Sequence, residues 1–251
     1  MTLSSKPPIL QVLRLAYRYS DNTLGIDDIS LKIDTGEFVV VAGPNGSGKT
    51  TLFRHLNGLL LPQSGDVLID GVSVTADVLR ARRMVGLVFQ DADSQIVGET
   101  VYDDVAFGPE NLCLDPTEVL RRVTSALSVV GLTHLSDRRP HRLSGGEKRR
   151  LAIAGILAME SPVLVLDEPF ANLDYSGMLQ VLSQVVTLNR AGKTIILSTH
   201  DLDRIMGYAD RLILMNQGAV IQDGLFASVI RQADCAGLEM PCACRMEAVY
   251  G

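Results

Sequence analysis

The chain has 251 residues, about 1.7 domains at roughly 150 residues each, so it can hold one large α/β unit with an embedded subdomain or two smaller domains. Its 23 Lys and Arg against 29 Asp and Glu leave a net charge of −6, which is not the footprint of a protein that grips DNA or RNA through phosphates, and nucleic acid is not an expected partner. With 47% apolar and 21% charged residues the composition is globular, and the apolar runs stop far short of the ~18 residues that suggest a membrane span.

The opening MTLSSKPPILQVLRLAYRYS has no compact apolar block followed by a small-residue cleavage site, so the expected compartment is the cytoplasm. Cys113, Cys235, Cys242 and Cys244 have neither the even spacing of a disulfide framework nor the Cys-x-x-Cys pairs of structural zinc. A reduced, partly exposed tail is the expectation for the last three.

In chain order, residues 29–33 alternate into Thr35-Gly36, and residues 66–69 run into Asp70-Gly71. Both read as short antiparallel strands closed by tight turns, a small β layer beside the main sheet. Between them, residues 38–42 are continuously apolar, and three further runs follow at 84–89, 163–166 and 193–198. Runs of this kind predict strands buried on both faces, as in a parallel sheet flanked by helices. Two helical patterns, 117–130 and 147–159, lie between the second and third of these strands and predict an inserted helical subdomain over about 91–160. The expected organisation is one α/β domain over 1–225 and a tail, 226–251, with no assigned role.

The strand at 38–42 leads directly into Gly43, Pro44, Asn45, Gly46, Ser47, Gly48, Lys49 and Thr50, and then, from Thr51, into a helix that Gly58 stops. In such a loop the glycines let backbone N–H groups converge on phosphate oxygens at a helix N-terminus. Lys49 supplies a point charge toward the β and γ phosphates, and the Thr50 hydroxyl is a ligand for Mg²⁺. The bland alternative is a flexible glycine turn.

The strand at 163–166 ends in Asp167 and Glu168. In phosphoryl transfer the protein mainly positions groups and stabilises charge, so Asp167 is assigned to Mg²⁺ through its water shell and Glu168 to polarising the attacking water. A surface acid pair closing a strand is the competing reading.

In LSGGEKRR, residues 143–150, Ser144 and Glu147 are spaced as a capping box that opens a helix. The box leaves Gly145 and Gly146 unexplained. It also leaves unexplained the cations Lys148, Arg149 and Arg150 in a first turn where the macrodipole disfavours them. The expectation is a second phosphate site formed by Ser144, Gly145 and Gly146, which caps the γ-phosphate of ATP held by another subunit.

Taken together these motifs resemble the ATP-binding-cassette (ABC) ATPases over about residues 10–225. The resemblance rests on an aromatic ahead of the phosphate loop, Tyr19; Gln90 after a core strand; LSGGE at 143–147; Asp167-Glu168; ANLD at 171–174; and STHD with His200. It implies a P-loop NTPase (RecA-like) core with an antiparallel β subdomain and an inserted helical subdomain, using ATP and Mg²⁺. It further implies that Tyr19 stacks on adenine, that Gln90 links Mg²⁺ and the water to a transport partner, that Asp174 communicates between sites, and that His200 contacts the γ-phosphate and steadies Glu168. Phe170 stands where many members carry Thr.

Residues 88–112 most resemble the ATPase subunits of energy-coupling-factor importers, including the cobalt and nickel branch, and residues 148–174 agree. The resemblance implies a second cassette subunit, identical or paralogous. It also implies a transmembrane coupling protein with a small substrate-capturing membrane protein for a vitamin or a metal ion, and a place on the cytoplasmic face of the membrane. Asp91, Asp93, Asp103 and Asp104 are expected to form a negative groove for arginines of the coupling protein. A soluble cassette ATPase acting on DNA, ribosomes or iron–sulfur assembly is the rival reading, and a simple P-loop kinase a third.

Overall fold

The computed structural model describes residues 8–231. Its elements run β1 (Leu10–Arg18), β2 (Leu24–Ile33), β3 (Phe38–Ala42), α1 (Lys49–Leu56), β4 (Ser64–Ile69), β5 (Val72–Ser73), α2 (Val78–Met84), β6 (Val85–Val88), α3 (Val101–Asn111), α4 (Pro116–Val129), α5 (Gly145–Ala158), β7 (Val163–Leu166), α6 (Tyr175–Arg190), β8 (Thr194–Ser198), β9 (Arg211–Asn216), β10 (Ala219–Leu225) and α7 (Phe226–Val229).

Six strands form the main sheet in the order β10-β9-β3-β8-β7-β6, parallel except for the β9–β10 hairpin. Period-two alternation sorts its side chains onto two cores. Val39, Val41, Val163, Val165, Ile196 and Met215 pack with α1 and the smaller sheet, while Phe38, Val40, Leu164, Leu166, Ile195 and Leu197 pack with the helices on the other face. Burial on both faces is why these strands read as unbroken apolar runs. Because they are parallel, β3, β6, β7 and β8 deliver their C-terminal ends to one edge, the edge where open α/β sheets bind ligands.

The smaller sheet is antiparallel, β2-β1-β4-β5, and it joins the main sheet where the Asp27 N–H donates to the Gly218 carbonyl at 2.9 Å. α1 ends in a Schellman motif. Gly58 at φ +72° lets its own N–H reach the His55 carbonyl and the Leu59 N–H reach the Arg54 carbonyl, as its position in the sequence predicted.

Between β6 and β7 the structure has three helices packed on one another, α3, α4 and α5, where the helical patterns predict two. Gly108 and Pro109 disguise α3, although the proline sits in its last turn. Its start carries a full capping box, in which Thr100 Oγ1 accepts from the Asp103 N–H and Asp103 accepts from the Thr100 N–H. Asp104 is buried, and its Oδ1 accepts from the Val97 and Gly98 N–H groups at 2.7 and 2.9 Å. Two of the four acids expected to face a partner are therefore engaged in folding this loop and helix.

At the start of the segment left without a role, Phe226, Val229 and Ile230 are buried in the helical-side core. Cys113 is an exposed free thiol, while Cys235, Cys242 and Cys244 lie outside the described residues. No helix among the described residues is long and apolar enough to cross a membrane.

The helical segment is pressed against the sheet at Gly86, where a Cβ would lie 2.3 Å from Ile156 Cγ2. Gly86→Ala should cost about 1–3 kcal/mol by overpacking, read as a lower denaturation midpoint at unchanged m-value.

Candidate active site

Two glycines of the loop between β3 and α1 have no room for a side chain. A Cβ on Gly43 would lie 2.2 Å from the Met215 carbonyl oxygen, and one on Gly48, at φ +102°, 2.7 Å from the Gly25 carbonyl oxygen. Gly46, at φ +79°, has open space around it. Lys49 is buried inside the turn, its Nζ donating to the Gly43 and Pro44 carbonyls at 2.7 and 3.1 Å. Burial lowers its pKa, and the charges of Glu168 and Asp167 partly offset that.

A cleft of about 400 Å³ opens over this loop. Asn45, Gly46, Ser47, Gly48, Lys49, Thr50 and Thr51 line its floor, Tyr19 and Gly25 one side, and Gln90, Asp167 and Glu168 the other. The Tyr19 hydroxyl hydrogen-bonds Thr51 Oγ1 at 2.8 Å, and its ring meets Tyr17 edge-on at 5.2 Å. Packing against Tyr17 and facing the cleft are thus not alternatives for Tyr19; it does both.

Three elements converge on the two acids. Asp167 is held at both oxygens, Oδ2 accepting from Thr50 Oγ1 at 2.6 Å and Oδ1 from Ser198 Oγ at 2.6 Å. The same Ser198 oxygen accepts the Glu168 N–H at 2.8 Å. Glu168 itself is in the left-handed region at φ +49°, which turns the chain after β7 and sets its Oε2 3.2 Å from His200 Nδ1. The Glu168 carboxylate is largely buried and the His200 ring largely exposed, so the pair spans from the cleft to the surface.

The hydroxyl of Thr50, the carboxylate of Asp167 and the side-chain amide of Gln90 give an all-oxygen donor set, the kind a hard cation such as Mg²⁺ takes. No group of three His, Cys, Asp or Glu side chains that could hold a metal occurs among the described residues, so a cation here would take the rest of its shell from water and phosphate oxygens.

Ser144, Gly145, Gly146 and Asp174 are not part of this cleft. They line a separate hollow with Glu147, Arg150 and Asn172, and no residue lines both. The expected capping box is present: Ser144 Oγ accepts from the Glu147 N–H at 3.3 Å and Glu147 Oε2 from the Ser144 N–H at 2.7 Å. Asp174 caps α6 through the Gly177 N–H at 2.8 Å. A Cβ on Gly145 would meet nothing within 4 Å, so no contact inside this chain demands a glycine there.

The three cations after Glu147 need no bound anion to explain them. Lys148 pairs with Asp93, Arg149 donates to the Phe89 and Gln90 carbonyls, and Arg150 donates to the Val130 carbonyl and Gln180. The groove beside them, with Asp93 and Glu99 facing Arg139 and Lys148, is mixed in sign rather than negative.

Sequence reasoning missed Ser198 and Arg149 as site residues. Ser198 was visible only as the last residue of a predicted strand beside His200, and its bridging role depends on β7 and β8 being neighbours. Ser198→Ala should lower kcat for ATP hydrolysis about tenfold, ~1.4 kcal/mol, with nucleotide affinity within about twofold, measured by steady-state kinetics beside a binding titration.

The ABC transporter family matches residues 26–171. The energy-coupling factor transporter ATP-binding protein EcfA of Methanocaldococcus jannaschii is 45% identical over 239 residues, 93% of this chain and 86% of the relative. Among solved structures, CbiO1 from Clostridium perfringens, part of the ABC transporter complex CbiONQ, superposes with a TM-score of 0.79 at 40% identity. The match covers 92% of this chain and 96% of that one. A bacterial ABC transporter cassette solved as a dimer gives 0.78 at 26% identity, covering 86% and 98%. A glycine loop, a strand-end acid pair and a separate LSGGE helix on one mixed α/β frame, matched over nearly the whole length of such proteins, place this chain in the ABC transporter family as one of its ATPases.

Proposed function

We propose that the chain is the ATP-hydrolysing subunit of an energy-coupling-factor type importer, working as a dimer in which each ATP lies between two chains. The observation that carries the dimer reading is the separation of the two phosphate-binding features. Lys49, Thr50, Asp167 and Glu168 share one cleft, whereas Ser144, Gly145 and Gly146 cap a helix that opens into another. A second chain supplies that helix N-terminus, and the dimeric form of a related cassette supports the arrangement.

In this reading the amides of residues 45–50 and Lys49 hold the phosphates, and Tyr19 stacks on the base. Thr50, Asp167 and Gln90 would hold Mg²⁺, which when bound would supply neutralisation of phosphate charge. Glu168 accepts a hydrogen bond from the attacking water and polarises it along the line to the γ-phosphate. His200 keeps the Glu168 carboxylate in place through the 3.2 Å contact and reaches the γ-phosphate from the open side. Asp174, beside Ser144 in the second hollow, sits where the two chains meet and links one site to the other.

The transport assignment draws on the resemblance of residues 88–112 and on the relatives named above. The chain then works on the cytoplasmic face of the membrane, against a transmembrane coupling protein and a small protein that captures a vitamin or a transition-metal ion. The mixed-sign groove beside α5 removes the argument that arginines of the coupling protein meet a wholly acidic surface, and leaves Asp93 and Glu99 as the acids available to them.

Glu168→Gln should reduce hydrolysis by at least ~100-fold and accumulate an ATP-bound dimer by size-exclusion chromatography, since the amide cannot polarise the water yet binding is intact. Parental turnover by that variant overturns the role of Glu168. Tagged chain purified from detergent-solubilised membranes should bring down an integral membrane protein and a smaller one. Recovery only of soluble chains, ribosomes or nucleic acid, beside a control transporter that stays intact, overturns the transport reading.

A further inference from the structure

Arg149 lines neither phosphate-binding hollow, yet it joins them. It lies in the second turn of α5, five residues after Ser144, and only 4% of it is exposed. Its guanidinium reaches back to the segment leaving β6, where Nη1 donates to the Phe89 carbonyl at 2.7 Å and Nη2 to the Gln90 carbonyl at 2.5 Å.

The need for these bonds follows from the sheet. The β6–β7 ladder ends with the Asp167 N–H donating to the Val88 carbonyl, so the next two carbonyls have left the sheet and have no ladder partner. Arg149 pairs both where the chain is partly shielded from solvent, with the stronger hydrogen bonds that a charged donor makes. A planar fork with parallel N–H groups serves two consecutive carbonyls at once, which the single ammonium of a lysine does not. From the other side Gln95 straps the same segment, its Oε1 accepting the Phe89 N–H at 3.0 Å and its Nε2 donating to the Leu87 carbonyl at 3.3 Å. The backbone of Gln90 is thereby fixed with respect to α5.

We propose that Arg149 is a positioning residue that locks Gln90, in the cleft of its own chain's nucleotide, to the Ser144-Gly145-Gly146 helix that meets the nucleotide of a second chain. The inference rests on the dimer reading above and adds to it a physical link: when α5 docks on the second nucleotide, Gln90 is carried with it as one body. Arg149 acts through Gln90 and touches no reacting atom. A residue that merely held the helices on the sheet would need only enough bonds to do so, and would not need a fork aimed at the residue lining the cleft.

The test uses Arg149→Lys, which keeps the charge and loses the fork, and Arg149→Gln, which keeps a donor and loses the charge, both in the full chain. For each, the thermal midpoint, the affinity for a fluorescent ATP analogue without turnover, and kcat and KM are measured. The ATP concentration that drives dimerisation is read in a Glu168→Gln background. We expect both variants to bind the analogue within about twofold of the parent while kcat falls ~10–100-fold, the scale on which misplacement of a catalytic group by about an ångström acts, and dimerisation to need ~10-fold more ATP. A folded Arg149→Lys chain with parental kcat overturns the proposal. So does a loss of affinity and kcat together that tracks the fall in thermal midpoint, which marks a purely structural residue. Failure of Glu168→Gln alone to stop turnover overturns the assignment of Glu168 and is separate, because the split between kcat and affinity is measured with Glu168 intact.

Discussion

The carboxylate of Asp167 ties the site together. One oxygen takes the Thr50 hydroxyl at the start of α1 and the other the Ser198 hydroxyl at the end of β8, so three segments far apart in sequence are fastened to one side chain. Charged acceptors make the stronger hydrogen bonds, and this one is buried. Everything that the cleft does to a phosphate chain depends on that fastening, because it sets the distance between the loop that holds phosphates and the turn that carries Glu168. Ser198 extends the same device by one bond, accepting the Glu168 N–H and so fixing the left-handed turn from which the carboxylate projects.

The parallel sheet makes the convergence possible. Thr50, Gln90, Asp167 and Ser198 follow or end four neighbouring strands whose C-terminal ends lie on one edge, and each strand is pinned by apolar side chains on both faces. Rigidity in the two cores is therefore transmitted to groups that must stay within hydrogen-bonding distance of one another. The helical segment between β6 and β7 is tied to that same edge through Arg149, which puts one of its attachments to the sheet next to the site.

Much of this was legible in the sequence, and unevenly. Strands β3, β6, β7 and β8 could be read because burial on both faces leaves no polar residue to interrupt them, and the glycine loop because Gly43 and Gly48 have no room for a side chain. The capping boxes at Thr100 and Ser144 are of equal quality, but only the second was recognised, since Gly108 and Pro109 mask the helix after the first. Strand β9 was overlooked although its centre, residues 212–215, is apolar and buried; Arg211 and Asn216 bound it and no motif at its end draws notice. The long-range bonds could not be read at all: that Lys148, Arg149 and Arg150 each have an internal partner depends on which surfaces α5 faces, and a count of cations in a first turn suggested an anion instead. Asp104, counted among surface acids, is buried for the same reason.

The charge balance of the cleft bears on the proposed dimer. Lys49 is the cationic side chain lining it, facing Asp167 and Glu168, so side-chain charge alone does not draw in a polyphosphate. In the proposed function attraction comes instead from the converging amides at the head of α1, from the positive end of that short helix, and from a divalent cation that Thr50, Asp167 and Gln90 would hold. These would act on the loop side of the phosphates. On the opposite side the described residues offer His200, largely exposed. In the proposed dimer a second α5, brought up with its Ser144 hydroxyl and free amides, would supply the missing half of the field, with Glu147 and Arg150 beside them in the same hollow. Lys148 and Arg149 are turned back into their own chain, so what that helix would present to a phosphate is its dipole and its capping hydroxyl rather than those two charges.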